Sequence, residues 1–326
     1  MWQDSGLFHP GYTGRVRRGG ITDMRESGTK GPARRLRAGA AAASALVALV
    51  AGCSGGGAGA EPGSPSQRAA AKPTPKPTPT WDRSPSSLVA VGDSITRGFD
   101  ACEVLADCPE ASWATGTNAS VNSLALRLLG ASGAAERSWN LAVTGSRISD
   151  LPRQMERAAE HRPELVTVMT GANDACRSSV GRMTPVADFR RSFERALKAL
   201  REELPKTQVY VSSVPDLKRL WSQGRGNPLG KQVWKLGICP SMLGDADAVD
   251  AGAVARRDAV RERVVAYNSA LEDVCGRDAK CRFDKGAVFN YAFTGTQLSQ
   301  WDWFHPSVDG QGRLAEIAYR GVTAPG

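Results

Sequence analysis

Ser94 ends the tripeptide Gly92-Asp93-Ser94, which closes the apolar run SLVAV, and His305 stands far downstream in WDWFHP. A serine hydroxyl is a poor nucleophile unless a base takes its proton. Histidine is the usual base near neutral pH. The chain has three histidines. His9 lies in a leader described below. His161, in AEHRPEL, falls where a helix gives way to a strand and reads as a charge partner for the helix C-terminus. That leaves His305 as the candidate base. Asp302 lies three residues earlier, so a turn can bring its carboxylate to the imidazole, fix the tautomer and stabilise the imidazolium.

Attack on an ester carbonyl builds a tetrahedral oxyanion, which needs donors already in place. Three are available. Gly145, in NLAVTG, offers a backbone N–H with no side chain in the way. Asn173, in GAND, offers its side-chain amide, and Ser94 its own N–H at the start of a helix. Each segment also has a plainer reading: Gly-Asp-Ser as a turn and helix cap, GAND as an Asx-type turn, Gly145 as a loop breaker, and DWFH as a surface turn with a core histidine. The joint pattern outweighs these readings, because each segment follows an element that a parallel sheet would align.

Those elements alternate. The strand ending at Ser94 is followed by a helical stretch around 120–130 that ends at Gly130. WNLAVTG (139–145) is a second apolar run. A helix begins near Ile148 with Leu151, Met155 and Ala158 on one face, and ELVTVMTG (164–171) is the third strand. Phe189, Phe193, Leu197 and Leu200 repeat at helical spacing. QVYVSSVP (208–215) is the fourth strand, a long helix spans 251–275, and a weak fifth strand is expected near 287–290. The last helix follows Pro306 with Leu314, Ile317 and Ala318 inward. Alternating strands and helices predict an α/β fold with a parallel sheet covered on both faces. Sites in such sheets lie beyond the carboxyl ends of the strands.

The four blocks, in order GDS with Ser94, NLAVTG with Gly145, GAND with Asn173 and DWFH with Asp302 and His305, resemble the SGNH, or GDSL-type, hydrolases, a family of serine esterases and lipases. The resemblance covers about residues 86–320. It implies a flavodoxin-like three-layer sandwich of about five parallel strands. It also implies Ser94 as nucleophile, His305 as base, Asp302 as its orienter, and Ser94, Gly145 and Asn173 as the oxyanion hole. The first block reads GDSIT where the family has GDSL, at a position that packs and does not react. NLAVTGSRISDLPRQ followed by TGANDAC is similar to the phospholipase-B-like branch, which favours acyl esters. The mechanism invokes no metal and no cofactor.

The first 53 residues read as a leader. Arg34, Arg35 and Arg37 precede an alanine-rich apolar run, Ala38 to Ala51, too short for a comfortable membrane span but suited to a secretory signal. It ends in VAGC, similar to the bacterial lipobox, so Cys53 is the expected lipidation site; a plain signal peptide with an incidental cysteine is the alternative. Met24 is a candidate start. Residues 54–84, rich in Gly, Ser, Pro and Thr, read as a tether, and 85–326 as the hydrolase domain. The formal charge of +9 does not mark a nucleic-acid binder, because residues 86–326 hold 30 basic and 28 acidic residues, a surplus of two.

Seven cysteines are an awkward number in an oxidising compartment. With Cys53 set aside, six remain, which allow 15 pairings. Cys102–Cys108, Cys176–Cys239 and Cys275–Cys281 are expected, since two of these pairs are close neighbours in sequence. A zinc site is the competing reading, but no CxxC pair accompanies them. The chain is thus expected at the outer face of the membrane as a lipoprotein, or secreted, and as a monomer acting on a lipid, small-molecule or glycan ester. A deacetylase of polysaccharide or cell wall, and a non-catalytic ligand-binding lipoprotein, are the alternatives. Trp113, Trp221, Trp234, Trp301, Trp303 and Phe304 are candidates for an apolar acyl pocket, against a role in packing. Residues 222–250 are read as a substrate-covering loop pinned by Cys239 to Cys176.

Overall fold

The computed structural model describes residues 81–325. The expected leader, with Cys53, and residues 54–80 of the expected tether lie outside them. Trp81 to Ser84, assigned to the tether from sequence, lie against the folded unit. Trp81 Nε1 donates to the Val322 carbonyl at 2.8 Å, its ring sits beneath the Arg282 guanidinium, and Asp82 exchanges backbone hydrogen bonds with the Gln208 side chain. Among the described residues no helix is long and apolar enough to cross a membrane.

Strands β1 (Leu88–Gly92), β2 (Ser138–Asn140), β3 (Leu165–Met169), β4 (Gln208–Val211) and β5 (Cys281–Phe283) form one parallel sheet in the order β2-β1-β3-β4-β5. Every residue of β1, β3 and β4 is buried. Such strands read as continuous apolar runs because helices cover both faces of the sheet. The helices are α1 (Ser94–Arg97), α2 (Leu124–Arg137), α3 (Leu151–Glu160), α4 (Ala172–Ala175), α5 (Val186–Glu203), α6 (Leu217–Gly224), α7 (Pro228–Trp234), α8 (Pro240–Leu243), α9 (Ala251–Cys275), α10 (Ala287–Asn290) and α11 (Val308–Thr323). α3, α5 and α9 pack in a row, and α2 packs against α11. The α/β sandwich is the expected one.

The order reverses at β1, which has β2 on one side and β3 on the other. Loops leaving β1 and β3 therefore diverge, and a crevice opens at their carboxyl ends. Periodicity located the core helices well. Leu151, Met155 and Ala158 are buried on α3, and Phe189, Phe193, Leu197 and Leu200 on α5. α9 spans the expected 251–275, capped by the Asp250 carboxylate, which accepts from the N–H groups of Gly252 and Ala253. On α11, Leu314 and Ala318 are buried, while Ile317 is only partly so.

Three expectations are corrected. The helix placed around 120–130 starts at Leu124, because Ser123 caps it by accepting from Leu126 N–H. Gly130 breaks it as expected, with φ 68° and ψ 177° outside the helical region, and a second helical segment runs on to Arg137. The strand placed at 139–145 spans Ser138–Asn140, and the N–H groups of Leu141 and Val143 carry the ladder on to the Ala90 and Gly92 carbonyls before the chain turns away. The fifth strand is Cys281–Phe283, not 287–290, which form the single turn α10. Asp284 decides this: its carboxylate accepts from the N–H groups of Ser213, Gly286 and Val288, folding the chain into a turn where AVFN alone reads as an apolar strand.

All three disulfides pair as expected, Cys102–Cys108, Cys176–Cys239 and Cys275–Cys281.

Gly92 is the tightest point of the sheet. Its φ is +144°, and a Cβ there would lie 2.1 Å from the Met169 carbonyl oxygen. Gly92→Ala combines a forbidden backbone angle with overpacking against rigid backbone, and is expected to cost about 2 kcal/mol or more. Chemical denaturation checks it; a midpoint equal to that of the unsubstituted chain would contradict the close approach.

Candidate active site

β1 delivers Ser94 to the crevice. Asp93 is the cap of α1, with its Oδ1 accepting from Ile95 N–H at 3.1 Å, and Ser94 is the first helical residue. Ser94 is 7% exposed. Its Oγ lies 3.1 Å from His305 Nε2, and His305 Nδ1 lies 2.5 Å from Asp302 Oδ2. The carboxylate at Nδ1 selects the tautomer with the proton there, so Nε2 accepts from the Ser94 hydroxyl.

The sequence around His305 folds as a closed loop. Leu298 and Pro306 form an antiparallel bridge, and Ser299 N–H donates to the His305 carbonyl at 2.7 Å. Asp302 Oδ1 accepts from both Phe304 and His305 N–H at 2.9 Å, so the aspartate orients the ring with one oxygen and the loop with the other. Burial alone would raise the Asp302 carboxyl. The His305 charge and these donors more than offset it and hold Asp302 below the usual carboxylate range. Burial alone would lower His305. Asp302, with Asp100 and Asp93 behind it, holds the imidazole above its ordinary 6.5.

Gly145 and Asn173 line the same cavity as Ser94 and His305. Gly145 has φ +82° with open space where a Cβ would sit, so a side chain there would be strained and would point into unfilled volume. Asn173 Nδ2 donates one hydrogen to the Ser146 carbonyl at 3.0 Å, leaving the second for another acceptor.

Four polar residues that set this geometry were not singled out by sequence reasoning. Gln154 Oε1 accepts from Gly92 N–H, and its Nε2 donates to the Gly92 carbonyl and to Ser146 Oγ, tying the end of β1 to the Gly145 loop. Its signal was available: a polar side chain on the apolar stripe of α3. Gln311 of α11 donates to the Ile95 carbonyl and accepts from Trp113 N–H, both at 2.9 Å. Asp174 accepts from Ile148 N–H and the Thr184 hydroxyl, and burial pushes its carboxyl up to about 6. Asp100 is fully buried behind Asp302, with φ +58° and one oxygen unpartnered. Burial and the Asp302 charge push its carboxyl up to about 6.

The cavity is about 170 Å³ and its apolar wall is Ile95, Phe99, Leu217, Leu220, Ile238 and Phe304. Of the six aromatic candidates only Phe304 lines it. The tryptophans are elsewhere for packing reasons. Trp113 is fully buried, Trp221 donates to the Ala246 carbonyl, and Trp234 donates to the Asp302 carbonyl. Trp303 packs on Gly224 and Gly230, while Trp301 lies partly buried outside the cavity. Residues 222–250 are not one loop: they hold the end of α6, then α7 and α8. Their Gly237, Ile238 and Cys239 do border the cavity, joined to Cys176 on its other wall. His161 caps α3 and stacks on Trp139, away from this site.

Asp100, Asp302 and His305 bring three possible metal-ligand atoms within 4.8 Å. Both ring nitrogens of His305 are already engaged by Asp302 and Ser94, so the set reads as a hydrogen-bond relay. Cys102, Cys108 and Glu110 form a second such group, but its sulfurs are joined in a disulfide.

Fold and site together define an α/β hydrolytic enzyme, and the chain belongs to the GDSL-like Lipase/Acylhydrolase family, whose description matches residues 88–318. Family membership supports ester hydrolysis. Similar solved structures include an acetylxylan esterase from Geobacillus stearothermophilus, 17% identical over 72% of this chain and 93% of that one, with a TM-score of 0.44. A family 3 carbohydrate esterase from Clostridium thermocellum is 14% identical over 72% and 94%, with a TM-score of 0.43. An extracellular lipase from Streptomyces rimosus is 16% identical over 73% and 99%, with a TM-score of 0.39. No curated protein matches the chain at a significant level.

Asp93 gives a test of the site's electrostatics. It is buried with Oδ2 unpartnered, and burial pushes its carboxyl up to about 7, well above 3.8. Between those values the folded state holds a proton that the unfolded chain has lost, so its contribution to stability falls as pH rises from about 4 through about 7. Asp93→Asn keeps a capping oxygen and removes this dependence. It should raise the melting temperature relative to the unsubstituted chain more at pH 8 than at pH 5. The reverse order in thermal melts would show that Asp93 is ionised in the folded state.

Proposed function

We propose that the chain is an exported serine esterase acting on carboxylic esters, with Ser94 as nucleophile, His305 as general base and acid, and Asp302 as its orienter. The observation that carries this reading is the unbroken hydrogen-bond chain Asp302–His305–Ser94 at the edge of an apolar cavity. His305 Nε2 takes the hydroxyl proton as Ser94 Oγ attacks the carbonyl carbon. The oxyanion is received by the N–H groups of Ser94 and Gly145 and the free amide hydrogen of Asn173. His305 then gives its proton to the leaving alcohol, and a water activated by the same nitrogen releases the acid.

The cavity is smaller than the several hundred Å³ typical of whole-ligand pockets, so it suits a short acyl group or the first carbons of a longer chain. That size is also what removal of small acyl groups from a glycan requires. Export is supported by the signal-like run ending in VAGC and by three disulfides, which persist in oxidising compartments. Lipidation of Cys53 would anchor the chain at the outer face of the membrane.

Ser94→Ala should lower turnover of short aryl esters by on the order of 10⁴-fold or more, and Asn173→Ala by about 10²-fold. A Ser94→Ala protein as active as the parent would sink the mechanism.

The base must be neutral to work. Because its pKa is held above 6.5, activity should fall on acidification with a midpoint on the alkaline side of that value. Asp302→Asn removes the charge that raises it, so the midpoint should move toward acid while the maximum rate drops by about 10³-fold or more. A pH–rate profile with an unmoved midpoint would show that Asp302 does not set the charge on His305.

A further inference from the structure

Asp100 combines three unfavourable features at one position. It is fully buried, its φ is +58°, and no N–H or hydroxyl reaches its Oδ2. A strained backbone and a bare buried carboxyl oxygen persist where the surroundings hold them or a function needs them. The surroundings here belong to the histidine loop. The Asp100 carbonyl accepts from Ser299 Oγ at 2.6 Å, and Ser299 N–H donates to the His305 carbonyl at 2.7 Å. One serine therefore ties the backbone of Asp100 to that of His305. On its other side Asp100 N–H donates to the Ala106 carbonyl at 2.9 Å, inside the loop closed by Cys102–Cys108.

The carboxyl of Asp100 faces another carboxyl. Asp100, Asp302 and His305 each bring one polar atom within 4.8 Å of the others, and the Asp100 and Asp302 side chains are in hydrogen-bonding reach. Asp302 is rich in donors: Phe304 and His305 N–H on Oδ1, and the His305 ring on Oδ2. Asp100 has one, the Leu105 N–H on Oδ1. Among the described residues no Arg or Lys is paired with Asp100. On its own loop Asp107 is engaged by Arg97, and Glu103 is exposed; Asp93 acts on His305 from the end of β1. Two carboxylates this close disfavour being ionised together. The charge belongs on Asp302, with three donors against one. The proton then belongs on Asp100, where Oδ2 changes from a bare acceptor into a donor. Burial and the Asp302 charge push the Asp100 carboxyl up to about 6 even against the lowering pull of a charged His305. With His305 neutral, as a base must be, that pull is gone.

We propose that Asp100 is a positioning residue of the hydrolytic site: while His305 is neutral it holds a proton on Oδ2 and donates it to the Asp302 carboxylate, extending the relay to Asp100–Asp302–His305–Ser94. This rests on the esterase reading for its catalytic consequence, but the carboxyl pair itself does not. The shared proton removes the repulsion that would drive Asp302 off the imidazole. It also fixes Asp302 from behind, so the ring keeps Nε2 on Ser94. Asp100 touches no substrate and acts only through Asp302. Its site asks for one acceptor, toward Leu105 N–H, and one donor, toward Asp302. An asparagine there offers both at all pH values and is at ease at positive φ.

The full-length chain is compared with its Asp100→Asn and Asp100→Ala forms. Infrared difference spectra of the parent minus Asp100→Asn, without substrate at pH 7, should show the C=O stretch of a protonated carboxyl that shifts in heavy water. Asp93 is common to both proteins and cancels. Asp100→Ala removes a hydrogen bond to a charged group, so kcat on a short aryl ester should fall about tenfold with KM little changed. Asp100→Asn should recover most of that loss. A structural role for negative charge would leave Asn as slow as Ala. Absence of the protonated-carboxyl band at pH 7 would overturn the proposal, as would an Asn form no faster than Ala or an Ala form as fast as the parent. If the Ala form does not fold, the band and the Asn rate decide: an Asn form slowed tenfold or more against the parent overturns the proposal. If the band is missing while Ser94-dependent hydrolysis is seen, the proton assignment fails and the esterase reading stands. If the band is present and no ester is cleaved, the reverse holds.

Discussion

One buried side chain, Gln311, holds the two ends of this domain in catalytic register. It donates to the Ile95 carbonyl of the helix that begins at Ser94 and accepts from Trp113 N–H, and it is fully buried. Gln311 lies six residues after His305, on the helix that the histidine loop leads into. A serine and a histidine 211 residues apart meet at 3.1 Å where Gln311 ties the helix after His305 to the helix that begins at Ser94, and where the bridged loop holds the ring. Buried polar side chains that satisfy both donor and acceptor capacity specify geometry in a way that apolar packing does not.

Gln154 plays the matching part on the other side of Ser94. It pairs with both backbone groups of Gly92 and with Ser146, so the end of β1 and the Gly145 loop move as one piece. The acids behind the site are costly by comparison. Asp93, Asp100 and Asp174 are all buried with carboxyls pushed upward by desolvation. Two of them retain an unpartnered oxygen. The charge that raises His305 comes first from Asp302, which stays below the usual carboxylate range, with Asp100 and Asp93 adding to it. Stability is spent there on charge placement, which is where a hydrolytic site needs it.

The wall of the cavity is built differently from its floor. Its floor comes from strand ends, which burial on both faces fixes. Its wall comes from α6 to α8, short helices joined through Cys239 to Cys176. Short helices gain little from their own hydrogen bonds, so the disulfide and the packing of Trp234 and Trp303 carry them. A wall built this way is free to present leucines outward, since its inner face alone is needed for packing.

Local chemistry made much of this legible without coordinates. Apolar runs and helical spacing placed β1, β3, β4, α3, α5, α9 and α11, because burial imposes period 2 or 3.6 on the side chains that face it. Ser94, His305 and Asp302 stood out because a nucleophile, a base and an orienting carboxylate are few in number and the chain has three histidines. What the tertiary structure decided was everything that depends on residues distant in sequence. The edge strand at Cys281–Phe283 is too short to show a period, and Asp284 turned the next segment into a helix. Trp303 went to packing against the glycines at 224 and 230, and Phe304 to the cavity. Gln154, Gln311 and Asp100 became parts of the site only through partners that no local pattern names, because a hydrogen bond between distant residues leaves no periodic trace along the chain.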